Sequence, residues 1–178
     1  MDYLRKISRG KWPQESQIAQ ATLKDILADT VVAELKTDNN CLSVWKIETD
    51  EDLEDAFIAL GSSCDHFCTL SAVRISQGDL RNISISTEEG ITPTIGINQK
   101  HRNLCSLSFC SLGTVIKSII YSLRKGKFIR KTKPVMKKLL VDAYKRNKLD
   151  MASIASSLKD EIIEEIRKEQ EKALRQSV

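Results

Sequence analysis

Long apolar runs are missing from this 178-residue chain. None approaches the roughly 20 residues that span a bilayer. No apolar stretch follows Met1-Asp2-Tyr3-Leu4-Arg5-Lys6, so no signal peptide is expected there. Aromatic residues make up only 5% of the chain, so aliphatic side chains must build most of the core. The seven glycines are scattered. Neither Gly-x-x-x-x-Gly-Lys-[Ser/Thr] nor Gly-x-Gly-x-x-Gly occurs, which removes two common phosphate cradles. Gly-x-Ser-x-Gly is absent too, and with it the nucleophile elbow of serine hydrolases. There is no internal repeat and no low-complexity segment.

What remains is a soluble, globular composition: 41% hydrophobic and 29% charged. A chain of this length buries about two thirds of its unfolded surface, so it needs neither disulfide nor metal to fold. Its five cysteines are Cys41, Cys64, Cys68, Cys105 and Cys110. An odd count without a secretory signal reads as reduced thiols and a cytoplasmic protein.

Charge is unevenly distributed. Residues 1–11 carry a net +3 and residues 12–116 a net −8. Residues 117–148 hold twelve basic residues against Asp142, a net +11, and residues 149–178 a net −2. The whole chain is only +4, so the basic segment is far from average. Its candidate carriers of polyanion binding are Arg124, Lys125, Lys127, Arg130, Lys131, Lys133, Lys137 and Lys138. Phe128 alone is interleaved with them, so stacking of unpaired bases has little support. A solvated lysine-rich helix face, or docking on the acidic body of this or a second copy, would use the same residues.

The apolar pattern predicts the elements. Tyr3 to Ile7 reads as a short strand or arm, and Trp12-Pro13 breaks it. Ile18, Leu23, Ile26 and Leu27 share a rough helical face, and Asp29 can cap a further turn. Leu42 to Ile47 reads as a buried strand. Thr49-Asp50-Glu51-Asp52 opens a helix whose apolar face is Leu53, Ala56, Phe57 and Leu60, with Gly61 as its stop. Phe67 to Ile75 and the alternation at Ile83 and Ile85 predict strands. Ile91, Ile95 and Ile97 form an edge piece broken by Pro93. Leu112 to Leu123 is an amphipathic helix ended by Gly126. Pro134 fits the first turn of the next helix, with Val135, Met136, Leu139, Leu140, Ala143 and Tyr144 on its stripe. Asp150 and Asp160 each read as caps of later helices. The fold class is therefore α+β: a small mixed or antiparallel sheet with two or three helices over 1–110, then a basic helical subdomain over 111–178.

Four groups invite chemistry. Cys64-Asp65-His66-Phe67-Cys68 sets three soft ligands at alternate positions, and His101, Cys105 or Cys110 could add a fourth. The short Cys-x2–4-Cys knuckle with turn glycines is absent, so these read as ordinary thiols and imidazoles rather than a zinc site. Thiol or serine dyads can be drawn with His66 or His101, but no third orienting group is evident. Asp50, Glu51, Asp52, Glu54 and Asp55 sit where a helix dipole favours carboxylates, which explains them without catalysis. No cofactor is implied, and the reading leans away from an enzyme.

The last group is the tail. Ala143-Tyr144-Lys145-Arg146 ends one helix, and Asp150 leads into Ile154-Ala155-Ser156-Ser157-Leu158. Residues 138–170 resemble a helix-turn-helix-type element, with a third helix from Asp160 in the reading position. The stretch departs from that pattern at Leu158-Lys159-Asp160, which lacks a glycine. Asp160, Glu161, Glu164 and Glu165 at that helix start would repel phosphate. The expected partners are DNA or RNA backbone, or an acidic protein surface, with a homo-oligomer as a further arrangement and no membrane.

Overall fold

The computed structural model describes residues 1–8, 10, 12, 13, 17, 20 and 23–176. Ile18, part of the expected first helical face, lies outside them, as do Arg9 and Lys11. Strands are β1 (Asp2–Lys6), β2 (Leu42–Ile47), β3 (Leu70–Ser76), β4 (Ser84–Ile85), β5 (His101–Cys105) and β6 (Phe128–Lys131). Helices are α1 (Ala28–Glu34), α2 (Asp50–Ser62), α3 (Phe109–Arg124), α4 (Lys133–Lys145) and α5 (Ser156–Gln176). The class is α+β. All strand pairs are antiparallel, in the order β4-β5-β2-β1-β3-β6.

The pleat sends alternate residues to opposite faces. Leu4, Trp45, Ile47 and Ala72 join a core roofed by α2, α4 and α5, with Phe57, Met136, Leu140, Leu158 and Ile162 at its centre. Tyr3, Val44, Val73, Ile75 and Leu104 join a second core under α3, with Val115 and Ile119. The sheet is thus the middle of three layers. The C-terminal third shares that sheet and both cores, since it supplies β6 as well as three helices. No described helix is long and apolar enough to cross a membrane.

Tyr3 to Ile7 is the central strand of the sheet, with β2 on one side and β3 on the other. Phe128–Lys131, read only as part of a basic run, is an edge strand. Ile91 to Ile97 forms no strand; Thr94 makes an isolated bridge to Leu149 instead. The expected helix after Asp150 is a turn, in which the Asp150 carboxylate accepts from Ala152 N–H (3.0 Å). Asp160 lies inside α5 rather than at its start. Gly61 lies inside α2, not beyond it. Its place is explained by packing: a Cβ there would stand 2.6 Å from Met136 Cε, so glycine lets α4 approach.

α2 begins with a complete capping box. Thr49 Oγ1 accepts from Asp52 N–H (3.1 Å), and the Asp52 carboxylate accepts from Thr49 N–H (3.0 Å) and Glu48 N–H (2.9 Å). Lys100 Nζ lies 3.1 Å from the same carboxylate. Burial pushes the Asp52 carboxyl up, but the Glu48 amide, the Lys100 ammonium and the Thr49 amide outweigh it and hold it below the ordinary range. Asp52→Ala is expected to cost about 1–2 kcal/mol at neutral pH. Because the folded pKa is depressed, that contribution is present above the unfolded value near pH ~3.9 and is lost as pH falls through the folded value. Urea titrations should show parent and variant converging in acid; a difference independent of pH would refute the assignment.

Candidate nucleic-acid interface

The basic segment is positioned by two helix ends and an edge strand. α3 closes in a Schellman motif: Gly126, at φ +67°, donates to Leu123 O (3.1 Å), and Lys127 N–H donates to Ser122 O (2.9 Å). The chain then turns into β6, which pairs Phe128 with Val73 and Lys131 with Leu70. Thr132 starts α4, where Pro134 needs no N–H partner. Lys133 N–H donates to Thr69 Oγ1 (3.1 Å), tying the helix start to β3. α4 ends in the same motif as α3. Asn147, at φ +56°, donates to Tyr144 O (2.9 Å), and Lys148 N–H donates to Ala143 O (2.9 Å).

These ends divide the cations into two groups. In the C-terminal group, Lys145 Nζ meets Glu169 (2.5 Å), Arg146 meets Glu54 (3.3 Å), and Lys148 meets Asp55 (2.8 Å) and Glu51 (3.6 Å). Those carboxylates raise the pKa of Lys145 and Lys148 through hydrogen bonds. The acidic start of α2 is thereby occupied by helix capping and by this group. Lys137 joins it by pairing with Glu165, so one of the eight expected carriers is neutralised within the chain.

The other seven, Arg124, Lys125, Lys127, Arg130, Lys131, Lys133 and Lys138, make no ion pair among the described residues. Lys125 Nζ lies 5.5 Å from the Tyr121 ring and Lys131 Nζ 5.8 Å from the Phe57 ring. The seven follow β6 from the end of α3 to the first turns of α4. Among the described residues β6 pairs on one side only, which leaves its other side as an open edge; four residues of strand give it a run of about 13 Å. Cations there also discourage pairing with a foreign strand.

At the α4 end of β6 lies a groove of about 560 Å³ lined by Lys6, Ser8, Cys68, Thr69, Ser71 and Arg130. Sequence reading placed Lys6 in a basic N-terminus but not at the site. The sheet brings it there, because Lys6 is opposite Ala72 in β3, and Ala72 is opposite Ile129 in β6. The +3 charge of residues 1–11 was the available signal.

The cysteines and histidines are placed elsewhere. Cys64 and Cys68 stand with sulfurs 3.4 Å apart. His66 turns away to Glu161, its Nδ1 3.1 Å from the carboxylate. His101 stacks on Trp45, with ring centroids 4.8 Å apart, and its pKa is lowered by burial and by Arg102. A Cβ at Gly90 would fall 1.3 Å from His101 Nδ1, so only glycine lets the ring lie there. Among the described residues no three His, Cys, Asp or Glu side chains are grouped to hold an ion.

The first turns of α5 face the chain's own loop. Ser157 Oγ donates to Asp65 O (2.6 Å), and Glu161 accepts from Phe67 N–H (2.8 Å). Leu158 and Ile162 are fully buried. The acidic residues expected at the start of a reading helix are thus partly engaged within the molecule. No family model, no curated protein and no solved structure matches the chain.

Proposed function

We propose that the chain is a non-enzymatic accessory or regulatory protein that binds nucleic-acid backbone along the β6 edge. The observation that carries this reading is the division of the basic segment. Acidic residues pair with Lys137, Lys145, Arg146 and Lys148, while seven cations from the end of α3 through β6 to the first turns of α4 make no ion pair among the described residues. Unpaired lysines and arginines in a row can replace the counterions condensed on phosphates. The site has few aromatic groups for stacking, and Glu161 and Glu165 of α5 are engaged with the Phe67 amide and Lys137. Both features suit contact with phosphates rather than with base edges.

Duplex DNA binding measured against salt tests the proposal. Each phosphate neutralised contributes about 0.9 to the slope of log K on log salt. Engagement of roughly half to all of the edge gives a slope of about −3 to −6. Sequence-scrambled duplexes should bind equally well. A flat salt response, or no binding at low salt, would overturn the reading.

A further inference from the structure

Four of the five cysteines meet in two pairs. Cys41 precedes β2 and Cys105 ends β5; the register that sets Leu42 opposite Leu104 also sets these two opposite each other. Their sulfurs are 3.1 Å apart although 64 positions separate them in the chain. Cys64 follows the last turn of α2, its N–H donating to Gly61 O (3.1 Å), and its sulfur is 3.4 Å from that of Cys68. The loop between them is held by Ser157 and Glu161 of α5. All four thiols are half-buried, whereas Cys110 is exposed.

We propose that Cys41–Cys105 and Cys64–Cys68 are two disulfide-forming sites, each closed by exchange with a low-molecular-weight disulfide such as oxidised glutathione. A disulfide needs sulfurs at about 2.05 Å, so each pair must close by only about 1–1.4 Å, within reach of side-chain rotation and small backbone adjustment. In the first step one cysteine, as thiolate, attacks a sulfur of the small disulfide and expels one small thiolate. In the second the neighbouring cysteine attacks the protein-bound sulfur of the mixed disulfide and expels the other. Two protein thiols are oxidised, one small disulfide is reduced to two thiols, and the two protons pass to those thiols. Cys110, with no sulfur beside it among the described residues, can only stop at the mixed disulfide.

Burial and the neighbouring Cys68 push the Cys64 thiol up to about 11, and hydrogen bonding to Cys41 pushes Cys105 up to about 11. Little thiolate forms on Cys64 or Cys105 near neutral pH at such values, so the redox equilibrium rather than a rate is the proper readout. Cys68 also lines the groove that holds Lys6 and Arg130, so closing its pair alters that wall.

The test is to equilibrate the reduced full-length protein in glutathione buffers of rising oxidised fraction and then alkylate it. Thiols are counted on a sample stripped of mixed disulfides by glutaredoxin. The count should fall from five per chain to one, that one being Cys110, and digestion should yield the 41–105 and 64–68 links only. Cys41→Ser should retain the 64–68 link and leave Cys105 and Cys110 as thiols, which separates the sites without requiring both to form. Retention of all five thiols, glutathione adducts without internal links, the absence of either link, or links through Cys110 would overturn the assignment.

Discussion

Replacing Glu34 with alanine is expected to destabilise the folded chain by about 2–3 kcal/mol, because two donors lose a buried charged acceptor. Glu34 ends α1 yet is only 3% exposed. Its carboxylate accepts from Ser8 N–H (2.5 Å) and from Trp12 Nε1 (3.2 Å), so it holds the segment after β1 against α1. The half-buried Arg5 guanidinium lies beside this segment, donating to Ser43 O (2.8 Å) and to the Glu34 backbone O (2.9 Å). Burial pushes the Arg5 pKa down, and the Glu34 charge opposes that shift. Without the carboxylate, the Ser8 amide and the Trp12 indole N–H lose this acceptor. Glu34→Gln keeps an acceptor oxygen and should cost less, about 1–2 kcal/mol. Urea midpoints measure both variants. A loss under ~1 kcal/mol for alanine would show that the carboxylate does not anchor this segment.

How much of this was legible depended on where the determining contacts lie. β2 and α2 were readable because their signals are local: a compact apolar run in one, and a Thr-Asp-Glu-Asp cap before an i, i+3, i+4, i+7 stripe in the other. Pro134 and Gly126 marked real helix limits for the same reason. β6 was not readable. Phe128-Ile129-Arg130-Lys131 has too few apolar residues to alternate visibly, and its extended form comes from pairing with β3. Asp160 misled because α5 had already begun at Ser156, so Asp160 falls in its second turn.

The candidate site divides along the same line. The basic run was plain in the sequence, and so was the chance that it docks on the chain's own acidic residues. Which lysines do so was not, because the partners Glu54, Asp55, Glu165 and Glu169 are selected by the packing of α2, α4 and α5. The Cys41–Cys105 pair was equally hidden, since only strand register brings those sulfurs together.

That division sets up the second large prediction, a comparison at fixed net charge. Arg130→Gln with Lys133→Gln removes two cations from the open edge. Lys145→Gln with Arg146→Gln removes two from the ion-paired group at the end of α4. Neither edge residue has a tertiary ion pair among the described residues, and Lys133 lies in the first turn of α4, where a positive charge opposes the helix dipole. The edge pair should therefore leave stability within about 0.5 kcal/mol of the parent. Its affinity for duplex DNA near ~0.1 M salt should fall about ten- to a hundredfold, and the salt slope should lessen by about 2. The neutralised pair should change affinity less than about threefold, because its charges are already spent on Glu169 and Glu54. Equal losses in both would mean that duplexes sense only the overall charge of the chain, and the β6 edge would lose its claim as the interface. A loss confined to the edge pair would place the phosphates where the cations are unpaired.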